Sequence, residues 1–175
     1  MNSQPNALML SRAMIRGLIV LNALYAFCIG TLLLATLVFP KFLFKALVGL
    51  DDGNTWQVHL GLRAVVVLGL VGAFVVHRVL RELLAIVDTV RNGDPFVANN
   101  ARRLQAIAWW VLAGEGLRLA VGATVWSVGR AVPSLHMDIP NGLSFAPWLA
   151  VLLLFVLARV FDQGARMRAD LEGTV

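Results

Sequence analysis

Four long apolar stretches, at residues 17–39, 60–76, 104–128 and 143–158, constrain this chain more than any other feature. Each approaches the ~20 residues that a helix needs to cross ~30 Å of hydrocarbon. No segment outside them is long enough to fold alone as a soluble domain. The expectation is therefore an all-α polytopic membrane protein, a four-transmembrane-helix bundle forming a single domain over residues 1–175. Helices are expected at about 17–39, 60–90, 99–128 and 143–168, with the membrane part of the second at about 60–76.

Composition supports this. Only 14% of the residues are charged and 59% are hydrophobic, against about 25% charge in a soluble domain. The net charge of +5 does not indicate direct nucleic-acid binding, because the basic residues sit in short segments beside apolar runs, as lipid-facing anchors do. Cys28 lies inside the first run and has no second cysteine to pair with. Arg12 and Arg16 precede that run as in a secretory signal, but about 22 apolar residues exceed a ~7–15-residue signal core, and the run ends in Phe39-Pro40. It is read as an uncleaved first transmembrane helix.

The basic residues give an orientation. Arg12 and Arg16, then Arg78, Arg81, Arg91, Arg102 and Arg103, then Arg159, Arg166 and Arg168 fall in the N-terminal segment, the second connection and the tail. Lys41, Lys45 and Arg130 alone fall in the first and third connections. The positive-inside bias then predicts cytoplasmic termini and a cytoplasmic second connection.

The outer connections differ in character. Residues 39–50 are apolar and suit an interfacial helix, and Asp51-Asp52-Gly53-Asn54 is a turn cluster. The third connection carries Pro133, His136, Asp138 and Pro140-Asn141-Gly142 and reads as an irregular loop, after which Ser144 can cap the fourth helix. The cytoplasmic connection is more ordered. Leu80, Leu83, Leu84, Val87 and Val90 recur at helical spacing and carry the second helix beyond the membrane. Asn92-Gly93 ends it, since Gly accepts the left-handed conformation. Asp94-Pro95 forces an extended turn, and Asn99 or Asn100 can cap the third helix.

Two motifs resemble a known family. The turn Arg91-Asn92-Gly93-Asp94-Pro95-Phe96-Val97 runs on to Asn99-Asn100-Ala101-Arg102-Arg103-Leu104, and the tail contains Val160-Phe161-Asp162-Gln163-Gly164-Ala165-Arg166. Together they resemble the bacterial membrane-protein family catalogued as domain of unknown function 2975 (DUF2975), with its Gly-x-Pro-Phe turn and Phe-x-x-Gly tail. The resemblance implies a four-helix inner-membrane protein. Members of that family are often encoded beside small helix-turn-helix regulators, so it also implies a regulatory or sensing role. It brings no catalytic residues.

Three charges fall inside apolar stretches: Arg63 on the second helix, and Glu115 and Arg118 on the third. On the insertion scale the last two cancel the favourable transfer of that helix's aliphatic side chains, so it must rely on its neighbours. Glu115 and Arg118 are i, i+3 and share a face. Arg63 is shallow enough to snorkel and could also reach Glu115 if the helices are staggered. An internal salt bridge, an outward-facing pocket for an anionic ligand and an ion-coupled site all fit this cluster. His59, His77 and His136 have no metal-ligand spacing, so no metal is expected. Asn22 and Tyr25 suit hydrogen bonds to a neighbouring helix. Ala26-x-x-x-Gly30, Gly69-x-x-x-Ala73 and Gly116-x-x-x-Ala120 would permit close helix approach.

The chain lacks Gly-x-Ser-x-Gly, His-Glu-x-x-His and phosphate-loop motifs. The expectation is a non-enzymatic, cofactor-free protein of the bacterial inner membrane, with a sensing or partner-binding role. Its partners would be membrane lipid and a cytoplasmic regulatory protein. The partner would be read by a platform of Gly93, Asp94, Pro95, Phe96, Asn99, Phe161 and Gly164. The alternatives are a small ion- or anion-coupled transporter or channel subunit using Glu115, and an inert scaffold.

Overall fold

The computed structural model describes residues 4–39, 56–131 and 144–172, and every regular element among them is helical. Helix α1 spans Gln4–Val38, α2 Trp56–Arg91, α3 Ala98–Ala131 and α4 Ala146–Glu172. Each contains a stretch long and apolar enough to cross a membrane: Leu8–Val38, Val58–Arg91, Ala98–Arg130 and Ala146–Asp170. The architecture is that of an all-α, multi-pass membrane protein. The interfacial segment expected at 40–50, the turn at 51–54, the loop at 132–143 and the last residues, 173–175, lie outside the described residues.

The helices overrun the apolar stretches that announce them. The 36 residues of α2 extend for about 54 Å, against ~30 Å of hydrocarbon. Helix α1 begins at Gln4 rather than near residue 17. Pro5 falls in its first turn, where a missing N–H is no loss, and no Gly or Pro interrupts residues 6–16.

Polarity is distributed as hydrocarbon contact demands. Large apolar side chains such as Val20, Leu24 and Phe27 of α1 and Leu149, Leu152 and Leu153 of α4 are exposed. Several buried positions are small instead: Ala73, Ala101, Ala108 and Ala158. Small residues let helix backbones approach where packing, not water, drives association.

The described residues form two compact units. The first holds 4–22, 75–114 and 144–172, and the second 23–39, 56–74 and 115–131. In the first, Val75 and Leu80 of α2, Ala101, Leu104, Ile107 and Ala108 of α3, and Val151 and Ala158 of α4 are buried. The α3 positions recur at three- and four-residue spacing, one face of a helix. Arg12 Nε of α1 lies 2.9 Å from Asp88 Oδ1 of α2. The contact is an ion pair rather than a directed hydrogen bond, since that N–H finds no acceptor along its axis. Arg78 of α2 stacks over Trp110 of α3, 5.6 Å from the ring centroid.

In the second unit the buried apolar residues are Val58, Val66, Ala73 and Val128. Among its described glycines Gly61 is the most closely packed, since a Cβ there would stand 2.1 Å from Val128 Cγ2. Of the glycines in the three small-residue patterns, Gly69 faces Tyr25 of α1, with a Cβ position 3.6 Å from the hydroxyl. Gly30 and Gly116 have open space at that position. Among the described glycines, the most closely packed, Gly61 and Gly164, thus lie outside the three spacing patterns.

Candidate functional site

The first unit gathers the turn and the tail. Helix α2 ends in a Schellman motif: Gly93 N–H donates to Val90 O (3.1 Å) and Asp94 N–H to Thr89 O (3.2 Å). Gly93 holds φ +85°, a conformation that costs an L side chain energy. The reversal satisfies two carbonyls at the end of α2 and delivers Asp94-Pro95-Phe96 to the start of α3.

Asn100 fastens the turn from inside and is fully buried. Its Nδ2 donates to Thr89 Oγ1 (2.6 Å) and to the Pro95 carbonyl (3.0 Å), while Oδ1 accepts from Arg103 Nη1 (3.1 Å). Arg103 Nη1 also donates to the Ala85 carbonyl of α2 (3.1 Å). One side chain thus joins α2, the turn and α3. The capping role expected at Asn99 or Asn100 moves elsewhere. Helix α3 already begins at Ala98, and the Asn100 N–H donates to Val97 O (2.9 Å). Asn99 lies exposed in the first turn. At α4, likewise, Phe145 O accepts from Leu149 N–H (3.0 Å), so Phe145 stands at the cap position expected of Ser144.

The tail closes on the turn from outside. The rings of Phe96 and Phe161 lie 5.4 Å apart, inclined by 38°. Gly164, nearly one turn further along α4, faces the same Phe96 ring, and a Cβ there would come within 2.8 Å of it. Arg168 pairs with Asp94. Residues 93–96 and 161–168, far apart in sequence, form one assembly of aromatic packing, backbone approach and ion pairing. Two clefts open beside it. One of about 350 Å³ is bordered by Asp94, Phe96, Asp162 and Arg166, and one of about 620 Å³ runs along α4 and α3. Of the two arginines in the first turns of α3, Arg102 is exposed, whereas Arg103 is turned onto α2.

The second unit holds the charges inside the apolar stretches. Glu115 is buried, with 6% of its side chain exposed. Arg118 Nε donates to both of its oxygens (3.1 and 3.0 Å), and Nη2 donates to Oε1 (2.6 Å). Arg63 does not join them. Its Nη2 donates instead to the Thr36 carbonyl of α1 (3.2 Å). That carbonyl would ordinarily accept from the N–H four residues on, but position 40 is proline and has none.

Sequence reasoning brought forward Gly93, Asp94, Pro95, Phe96, Phe161 and Gly164, which the structure brings together, and Asn99, which makes no contact of this kind. In the sequence Asn100 stands out only as a candidate cap and Arg168 only as a basic residue of the tail, and Thr89 does not stand out at all. Asn100 carried a readable signal, since it stands four residues before Leu104 on the face that continues through Ile107 and Ala108. Among the described residues no group of three His, Cys, Asp or Glu side chains is placed to hold a metal ion.

Against known proteins, a family described as protein of unknown function, DUF2975, matches residues 22–175. No curated protein and no solved structure matches the chain.

Proposed function

This chain belongs to the DUF2975 family of proteins of unknown function, and from that premise we propose that it is a non-enzymatic inner-membrane module that presents its turn–tail assembly to a cytoplasmic partner. The observation that carries the proposal is the interlock of Phe96 with Phe161 and Gly164, clamped by Asp94 and Arg168. A passive connection between two helices needs only a few polar residues. Here the connection is shaped by a positive-φ glycine, pinned by a buried asparagine and covered by the end of α4. Arg12 of α1 pairs with Asp88 near the end of α2, and Arg168 near the end of α4 with Asp94 of the turn, which supports placing the termini and this turn on one side. The ten-to-three bias of arginine and lysine makes that side the cytoplasm. The transporter alternative gains no support from Glu115, whose hydrogen bonds come from its own helix.

The test separates insertion from recognition. Gly93→Val and Phe161→Ala are expected to insert normally and to lose a partner that the unaltered protein retains in pull-downs from its own membrane. Retention of every partner by both variants would reduce the turn to a connector. Orientation is checked by alkaline phosphatase fusions, active after Asp52 or Asp138 and inactive after Asn92 or Val175.

A further inference from the structure

The larger cleft straddles a chemical boundary. The apolar run of α4 ends at Ala158, and Arg159 is the first charge beyond it. Phe155 and Val156 line the apolar side of the cleft, Arg159, Asp162, Gln163 and Arg166 the polar side, and Gln105 of α3 the facing wall. Positions 155, 159, 162 and 166 follow one another at helical spacing and form a single stripe. Trp109, one turn along α3 from Gln105, meets Phe155 edge-on at 5.6 Å and 82°. It is 62% exposed, as an indole at a membrane–water interface is.

The charges of the cleft do not cancel. Arg166 Nη2 pairs with Asp162 Oδ2 at 2.9 Å, one turn apart. Arg159 is exposed and has no ion-pair partner among the described residues. The cleft therefore carries one uncompensated cation above an apolar floor, with two amides beside it. Its volume of about 620 Å³ lies within the range of small-ligand sites, about 300–1,000 Å³. An occupant that satisfies all of these must be amphipathic, with an anion at Arg159, hydrogen-bonding groups for Gln105 and Gln163, and a hydrocarbon end along Phe155 and Val156.

We propose that this cleft binds the headgroup of an anionic phospholipid. The phosphate sits at Arg159, the glycerol and headgroup oxygens at Gln105 and Gln163, and the top of an acyl chain against Phe155 and Val156. A soluble phosphate would leave the apolar floor unused. A zwitterionic lipid would bring its ammonium group beside an arginine that already lacks a counter-charge. Basic pockets between transmembrane helices are established sites for such headgroups. The site needs no protein partner, so it stands or falls apart from the platform.

The test uses the full chain purified in neutral detergent and titrated separately with short-chain phosphatidylglycerol, phosphatidylcholine and glycerol 3-phosphate. Binding is read by native mass spectrometry and by thermal shift. Phosphatidylglycerol is expected to bind and raise Tm, and the other two to do neither. Arg159→Gln should weaken phosphatidylglycerol binding about five-fold, Arg159→Lys should keep most of it, and Arg81→Gln, on an exposed part of α2, should change nothing. Gln163→Leu supplies a second variant that leaves every charge in place, and it should weaken binding less than Arg159→Gln. Equal binding of phosphatidylglycerol and phosphatidylcholine overturns the proposal, as does unaltered selectivity in Arg159→Gln. Saturable binding of glycerol 3-phosphate without the lipid, or a dimer that excludes phosphatidylglycerol, would also overturn it.

Discussion

Asn100 and Glu115 are polar side chains on the same helix, both buried, and they are satisfied in opposite ways. Asn100 reaches off α3 to a hydroxyl of α2 and a carbonyl of the turn, and accepts from Arg103. Glu115 is satisfied by Arg118, three residues along the same helix. The difference follows from what the backbone leaves open. Where the chain leaves the helix, the Pro95 carbonyl has no helical N–H to accept from, and a side chain from elsewhere must supply one. In mid-helix the backbone is already paired, so a charged side chain needs only a counter-charge, and the nearest is a neighbour on its own face. The first arrangement ties elements together, while the second neutralises a charge and ties nothing.

The largest effect should come from cutting the tie. Asn100→Leu orphans the Pro95 carbonyl and strips Arg103 of an acceptor, and it is expected to cost about 2–3 kcal/mol. Thermal unfolding in detergent measures it, and a second change, Thr89→Val, should recover none of the loss, because the orphaned group is backbone. Recovery would mean that Asn100 serves only Thr89. Next comes Gly164→Ala, whose Cβ would meet the Phe96 ring at 2.8 Å. The expected cost is about 1–2 kcal/mol, relieved in the double variant with Phe96→Leu. If Gly164→Ala melts like the unaltered protein, the ring is free to move and the interlock is loose. The smallest effect belongs to removing the local pair as a unit. Glu115→Leu combined with Arg118→Leu should leave Tm unchanged or raised, whereas Arg118→Leu alone should lower it, because a hydrogen-bonded pair can be removed as a unit but not by halves. A large loss in the double variant would show that Glu115 holds something beyond its own helix.

The same contrast explains what was legible in the sequence. The spanning helices were readable because each announces itself by a long run such as 17–39. Their full lengths were not, because Ser11, Arg12 and Arg16 interrupt the apolar residues of the first turns of α1, though nothing there would stop a helix. The turn was readable at Gly93 and Pro95, where backbone geometry admits few residue types. Phe96, Phe161 and Gly164 could be singled out as motifs, but that Gly164 faces the Phe96 ring depends on two helices meeting, which no local pattern encodes. Glu115 and Arg118 were readable as a pair because their partnership is a matter of spacing along one helix. Arg63 was not, since its acceptor is a backbone carbonyl of α1, and main-chain acceptors leave no trace in side-chain patterns.

That bond between Arg63 and the Thr36 carbonyl bears on how the chain enters a bilayer. Helix α1 alone would carry into lipid a carbonyl that Pro40 cannot close, and α2 alone would carry a guanidinium with no acceptor. Each segment holds the polar complement of the other. Apart, Arg63 must snorkel to the interface and the Thr36 carbonyl must find water there, whereas together each satisfies the other. The bond thus joins the outgoing end of the first crossing to the entry of the second, so that the two behave as a helical pair rather than as independent spans.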